Sequence, residues 1–175
     1  MRIVGGKFKG RSLVEFKGMD VRPTSDQTRE SLFNILQFKI AGKSFLDLFC
    51  GTGAVGIEAY SRGAGRVVLN DISRDSIKIA KTNLNKLGID DIEVKNADAL
   101  GLLSSLREKF DYVFIDAPYK LDVGILAVEK AKDVLAVGGT IIYENEKPIE
   151  CVPSGLKIVD ERKYGRARLF FLEKE

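Results

Sequence analysis

The chain has 175 residues, is 45% hydrophobic and 30% charged, and carries a net charge of +3 at pH 7. That length suits one well-buried core and falls short of two ordinary domains, and the apolar content excludes a disordered chain. Histidine is absent, which excludes Ser-His-Asp and Cys-His hydrolysis and argues against a zinc or non-haem iron centre, so acid–base work falls to carboxylates, Lys or Tyr.

The reading is a single domain over 1–175, with a basic N-terminal extension over 1–20 and a core over 21–175. Residues 2–17 read as a short hairpin, with Gly5-Gly6 and Lys9-Gly10 as turn material. In this stretch Arg2, Lys7, Lys9, Arg11 and Lys17 stand against Glu15 alone. Such a cluster reads as a phosphate-backbone contact or as a solvated edge, and Phe8 between two lysines adds a ring for base contact. The N-terminus lacks the apolar core of a signal peptide and no apolar run reaches membrane-spanning length, so a cytoplasmic protein with two free thiols, Cys50 and Cys151, is expected.

The run Val21-Arg22-Pro23-Thr24-Ser25-Asp26-Gln27 opens a helix. Thr24 and Gln27 have capping-box spacing, and Leu32, Phe33, Ile35 and Leu36 supply the apolar stripe. From residue 44 strands and helices alternate. Strands are expected at 44–49, 66–70, 92–95, 110–115 and 139–144, and helices near 54–62, 73–87, 98–107 and 122–136. A last pair, 156–160 and 167–172, flanks a turn near Tyr164-Gly165 amid Lys157, Arg162, Lys163, Arg166 and Arg168. This order predicts an α/β fold: a mostly parallel sheet covered by helices, closed by an antiparallel C-terminal hairpin.

The chemistry-bearing residues fall at the strand ends. Cys50-Gly51-Thr52-Gly53-Ala54-Val55-Gly56 is a G-x-G-x-x-G loop between a strand and a helix, open by pattern to a dinucleotide or to S-adenosylmethionine. Asp47 just before it repels a pyrophosphate but accepts from an ammonium, which favours the second; as a bare strand-end turn former it has no such role. Asp71 ends the next strand, where a carboxylate can take two ribose hydroxyls. Asp98 is either an acceptor for an adenine amino group or the N-cap of the helix beginning near Ala99, and both can hold. Asp116-Ala117-Pro118-Tyr119 ends the fourth strand. The carboxylate and the Ala117 carbonyl can hold the two N–H groups of a planar amine, Pro118 stiffens the turn, and Tyr119 offers a face for a base.

Arg2-Ile3-Val4-Gly5-Gly6-Lys7-Phe8-Lys9-Gly10-Arg11, Arg22-Pro23-Thr24-Ser25-Asp26-Gln27-Thr28-Arg29-Glu30 and Phe45-Leu46-Asp47-Leu48-Phe49-Cys50-Gly51-Thr52-Gly53 resemble the bacterial 16S rRNA guanine-N2 methyltransferases, the small-subunit rRNA methyltransferase D type. Glu58-Ala59, Arg62-Gly63-Ala64, the Asp-Ala-Pro-Tyr turn and Tyr164-Gly165 also fit. The turn is similar to the (Asp/Asn)-Pro-Pro-(Tyr/Phe) signature of enzymes that methylate exocyclic amines. Ala117 stands where members usually have Pro, but the carbonyl is the expected acceptor. The resemblance implies a Rossmann-like class I S-adenosylmethionine-dependent methyltransferase, with the donor held by Asp47, Phe49, Gly51, Gly53, Asp71, Ile72, Ala97 and Asp98. It implies catalysis by Asp116, Ala117, Pro118 and Tyr119, and 16S rRNA in an assembling 30S subunit as substrate, contacted by Lys7, Lys9, Arg11, Arg22, Thr24 and Tyr164. A monomer without a metal is expected.

Three competing readings remain. An adenine-N6 methyltransferase of DNA or RNA uses the same turn, but for the DNA case no target-recognition domain is present. An oxidoreductase is opposed by Asp47. A non-catalytic RNA-binding assembly factor is opposed by the intact loop and carboxylates.

Overall fold

The computed structural model describes residues 1–17, 24–118 and 123–175. Arg22, Tyr119 and the expected start of the helix at 122 lie outside the described residues.

Helix α1 (Asp26–Leu36) is followed by β1 (Ser44–Asp47), α2 (Ala54–Ser61), β2 (Arg66–Asn70), α3 (Arg74–Leu87), β3 (Glu93–Lys95), α4 (Ala99–Ser105), β4 (Phe110–Ile115), α5 (Val123–Ala131), β5 (Leu135–Asn145), β6 (Leu156–Tyr164) and β7 (Ala167–Lys174). The described strands form one sheet in the order β3-β2-β1-β4-β5-β7-β6. The first five are parallel, and β7 and β6 add antiparallel pairing. The chain runs outward from β1 through β2 to β3 and then crosses to β4, so the strand order reverses between β1 and β4. Ligands of open α/β sheets bind beyond the carboxyl ends of the strands at such a switch point.

The central strands β1, β2 and β4 are largely buried because both their faces are covered, whereas the edge strands β3 and β6 are mostly polar and far less buried. Phe45, Val67, Leu69, Tyr112 and Phe114 face α1, α2 and α3, whereas Leu46, Val68, Val113 and Ile115 face α4 and α5. Neighbours in sequence thus fall in opposite clusters, as the two-residue period of a strand requires. Phe33, Phe45, Phe110 and Phe114 are at most 1% exposed. Burying each such ring is worth about 1.5–3 kcal/mol.

Several boundaries differ from expectation. The α1 N-cap is Ser25, whose hydroxyl accepts from the Thr28 amide, so Thr24 and Gln27 form no capping box. Asp98 caps α4 through the Gly101 amide, and α4 stops at Ser105. After α5 one 3-10 turn (Lys132–Val134) leads into β5, which starts at Leu135 and carries an irregularity before Thr140. Gly138, with φ of 71°, permits that detour, which short-range periodicity does not encode.

The N-terminal segment is less regular than a hairpin. It has one antiparallel bridge, Arg2 to Ser12, around a 3-10 turn at Gly6–Phe8. Backbone hydrogen bonds from Ile3 to the Arg11 carbonyl, Gly10 to the Ile3 carbonyl and Leu13 to the Met1 carbonyl pair its two arms, and tertiary contacts add to them. Val4 donates to Glu58 at 2.9 Å, Phe8 donates to Ser61 at 3.0 Å, and the Ser61 hydroxyl donates to the Gly5 carbonyl at 2.6 Å. Gly6 has φ of +76°, and a Cβ there would overlap the Ser61 carbonyl. Beneath this segment the fully buried Arg29 lies 3.5 Å from Glu58 and donates to the Arg2 carbonyl.

Candidate active site

The carboxyl ends of β1 and β2 carry a tight loop. Cys50 donates to the Asn70 carbonyl at 2.8 Å and Gly53 to the Cys50 carbonyl at 2.7 Å. Gly51 has φ of 52° with open space where a side chain would stand, so the backbone can approach a ligand closely. Gly53, with φ of 82°, caps α2. Cys50 is buried, which pushes its thiol far up and keeps it protonated, and it fills space in the loop.

Asp47 is 1% exposed. Its Oδ2 accepts from Gly56 at 2.9 Å in the first turn of α2, while Oδ1 is buried without a hydrogen-bond partner among the described residues. Burial pushes its pKa up to about 7, the Gly56 bond opposes this, and the Asp71 charge adds to it. Asp71 accepts from Gly51 at 2.9 Å and from Ser73 at 2.8 Å, joining the glycine loop to the start of α3. Beside it Ile72 is 67% exposed, an unusual place for a large apolar side chain. Phe49, Ala97 and Asp98 border the same edge, Phe49 and Ala97 half-buried and Asp98 exposed.

Sequence reasoning missed the residue that binds these loops together. Asn70 is fully buried and donates to the carbonyls of Leu48 and Ala97 at 3.1 Å each, while its Oδ1 accepts from Ala97 at 3.2 Å. The sequence presents it only as the last residue of a strand. An amide with two donors and an acceptor at a buried strand end was the available signal.

At the end of β4, Asp116 is half-buried, Ala117 is buried and Pro118 is exposed. The hydroxyl of Thr24, a residue expected to touch the base, donates to Asp116 Oδ2 at 3.2 Å and to Glu144 Oε2 at 3.0 Å. Burial raises the Asp116 pKa well above the carboxylate range; the Glu144 charge raises it further, the Thr24 hydrogen bond opposes, and Asp47 adds a smaller contribution. Glu144, at the end of β5, was placed in its strand but not in the site. Its signal is position: it is next to last in the fifth parallel strand, as the four aspartates end or follow the others. A cleft of about 460 Å³ opens beside Ala117 and Pro118, with Tyr143, Asn145, Lys147 and Ile149 in its walls.

The expected RNA contacts divide. Tyr164 lies at the β6–β7 turn, half-buried against the core. Because Asn145 pairs with Arg168, that turn, with Lys163 and Arg166, lies at the same sheet edge as Asp116. Lys7, Lys9 and Arg11 do not. Lys7 sits over the Tyr60 ring, 4.1 Å from its centroid, and Arg11 reaches the Lys86 carbonyl in the last turn of α3. These contacts lie where α2 and α3 end, toward the opposite edge.

A family model described as conserved hypothetical protein 95 matches residues 1–173. The ribosomal RNA small subunit methyltransferase D of Escherichia coli strain K12 is 31% identical over 183 residues, spanning 100% of this chain and 90% of that protein. This chain belongs to the small-subunit rRNA methyltransferase D family. The family's sequence relatives also include YlbH of Bacillus subtilis, 33% identical over 169 residues, with 93% of this chain and 92% of that protein covered. In three dimensions this family member superposes on yhhF of Escherichia coli with a TM-score of 0.88 and 29% identity, covering 100% of this chain and 98% of the other. The fold is that of class I methyltransferases, with the antiparallel strands at the C-terminus.

Proposed function

We propose that this protein transfers a methyl group from S-adenosylmethionine to the exocyclic N2 of a guanine in small-subunit rRNA during subunit assembly. One observation carries the reading: in a member of this family, the Asp116-Ala117-Pro118 turn stands across the strand-order switch from Asp47 and the glycine loop.

The edge residues fit the donor. The buried Oδ1 of Asp47 lacks a partner among the described residues and suits an ammonium, the open space over Gly51 suits close backbone approach, and exposed Ile72 beside Asp71 suits a nucleoside whose hydroxyls meet a carboxylate. Phe49, Gly53, Ala97 and Asp98 complete that edge. A pyrophosphate would meet Asp47, Asp71 and Asp116, three carboxyl groups.

When bound, S-adenosylmethionine supplies an electrophilic methyl group. The protein prepares the nucleophile. The lone pair of guanine N2 is delocalised into the ring. Asp116 and the Ala117 carbonyl accept the two N–H groups and favour a tetrahedral nitrogen, most strongly in the transition state. The target base leaves its stack to enter, and Tyr119, outside the described residues, is assigned to stack on it. After methyl transfer the nitrogen bears an extra proton, which Asp116 or water takes. The Asp116 carboxyl, with its raised affinity for protons, suits that task. We assign the β6–β7 turn with Lys163, Tyr164 and Arg166 to the RNA strand, and we assign the protein to the cytoplasm as a monomer needing no metal.

Mass spectrometry of 16S rRNA nucleosides tests this. A strain lacking the gene should lose one N2-methylguanosine, restored by the wild-type protein but not by Asp116→Ala. Loss of N6-methyladenosine instead would transfer the assignment to adenine, and an unchanged nucleoside profile would refute it.

A further inference from the structure

We infer that Thr24 and Glu144 are positioning residues for Asp116, holding its carboxylate so that Oδ1 is left to take an N–H of the base amine; this rests on the methyl-transfer reading above. Strands β4 and β5 are parallel neighbours with Ile115 opposite Tyr143, so Asp116 and Glu144 leave adjacent strand ends in step. The Thr24 hydroxyl, arriving from the segment before α1, stands 3.2 Å from Asp116 Oδ2 and 3.0 Å from Glu144 Oε2. Its single proton is shared between two carboxyl oxygens on separate strands.

A structural role alone does not explain this choice of residues. The positions just inside, Val113, Phe114 and Ile115 on β4 and Ile141, Ile142 and Tyr143 on β5, are buried, all apolar but for the Tyr143 hydroxyl. The polar groups begin where the strands leave the core. Thr24 is 8% and Glu144 5% exposed, so the bridge is buried, and burying a hydroxyl and a carboxyl costs stability that apolar residues of the same shape would not. Asp116 is the least buried member of the trio. With Oδ2 tethered, its side chain loses the freedom to swing, while Oδ1 makes no hydrogen bond among the described residues. Misplacing an acceptor by about 1 Å costs on the order of a hundredfold in rate, so tethering it is a plain gain. Thr24 also directly precedes the α1 cap Ser25, so the packing of α1 sets where the hydroxyl stands.

The test uses full-length protein, S-adenosylmethionine and 30S particles from a strain lacking this gene, under single turnover with saturating cofactor. Thr24→Val and Glu144→Gln should each slow methyl transfer by about ten- to hundredfold. S-adenosylhomocysteine affinity, particle KM and Tm should stay near wild type, and Thr24→Ser should recover most of the rate. Wild-type rates in both Thr24→Val and Glu144→Gln would overturn the inference. So would a loss that serine fails to rescue, or one matched by an equal loss of cofactor affinity or Tm. If Thr24→Val proves unstable, the near-isosteric Glu144→Gln decides by the same rate comparison. Wild-type protein that leaves the particles unmethylated would instead defeat the methyl-transfer reading itself.

Discussion

The Asp71 carboxylate accepts the backbone N–H of Gly51 at 2.9 Å, so the acid closing the second strand also holds the glycine loop after the first. Its second oxygen takes the Ser73 amide. One side chain therefore shapes the loop, and in the proposed reading its remaining lone pairs take the ribose hydroxyls. Asp71→Ala should remove both functions and weaken S-adenosylhomocysteine binding by about 1.5–3 kcal/mol, the scale of hydrogen bonds to a charged group. Isothermal titration measures this, and wild-type affinity would take Asp71 out of the donor site.

Asn70 joins the loops after β1 and β3 from a fully buried position. Asn70→Leu should leave the Leu48 and Ala97 groups unsatisfied and cost at least about 2 kcal/mol in urea unfolding. A neutral outcome would mean that the loops hold their geometry without it.

Asp47 makes a pH-dependent contribution with a definite sign. Its pKa rises from 3.8 to about 7 on folding, because burial disfavours the charged form. The folded protein keeps a proton that the unfolded chain has lost. The contribution is fully present below about pH 4 and is lost as pH rises through about 7. The stability of wild type relative to Asp47→Asn should therefore fall across that window. An ammonium at Oδ1 favours the ionised carboxylate, so S-adenosylhomocysteine affinity should rise from about pH 6 to about pH 8 in wild type and stay flat in Asp47→Asn. Parallel profiles for both proteins would exclude the pairing.

The two basic clusters lie toward opposite edges of the sheet, so a short RNA bearing the target base reaches only one of them. Neutralising Lys163 and Arg166 should flatten the dependence of log affinity on log salt by about one unit or more for such a fragment. Neutralising Lys7, Lys9 and Arg11 should leave that slope nearly unchanged. The reverse ranking would place the RNA along the N-terminal segment.

Gly6 docks that segment at the end of α2. Gly6→Ala requires a left-handed backbone and displaces the Ser61 carbonyl, at about 1–3 kcal/mol. Chemical denaturation should show the loss, with cofactor binding intact, since the docking point lies away from the glycine loop.

The order of strands and helices, the parallel sheet, the glycine loop and the acids closing the first four strands were legible in the chain itself, because period-two apolar runs, turn residues and strand-end carboxylates are local patterns. Capping at Ser73 and Asp98, with the Gly88 stop, is local in the same way. Three assignments required the tertiary structure. Thr24 looked like a helix cap or a base contact, yet it bridges Asp116 and Glu144, which lie 92 and 120 residues away in the chain. Glu144 looked like an ordinary strand end until β5 was placed beside β4. The N-terminal basic residues read as phosphate contacts or a solvated edge, and only the fold shows that Gly6 and Phe8 dock where α2 ends, toward the far edge from Asp116. Local sequence specifies backbone conformation and which face is apolar. Which strand ends become neighbours depends on the crossover between β3 and β4, and that is settled by burying both faces of the whole sheet at once.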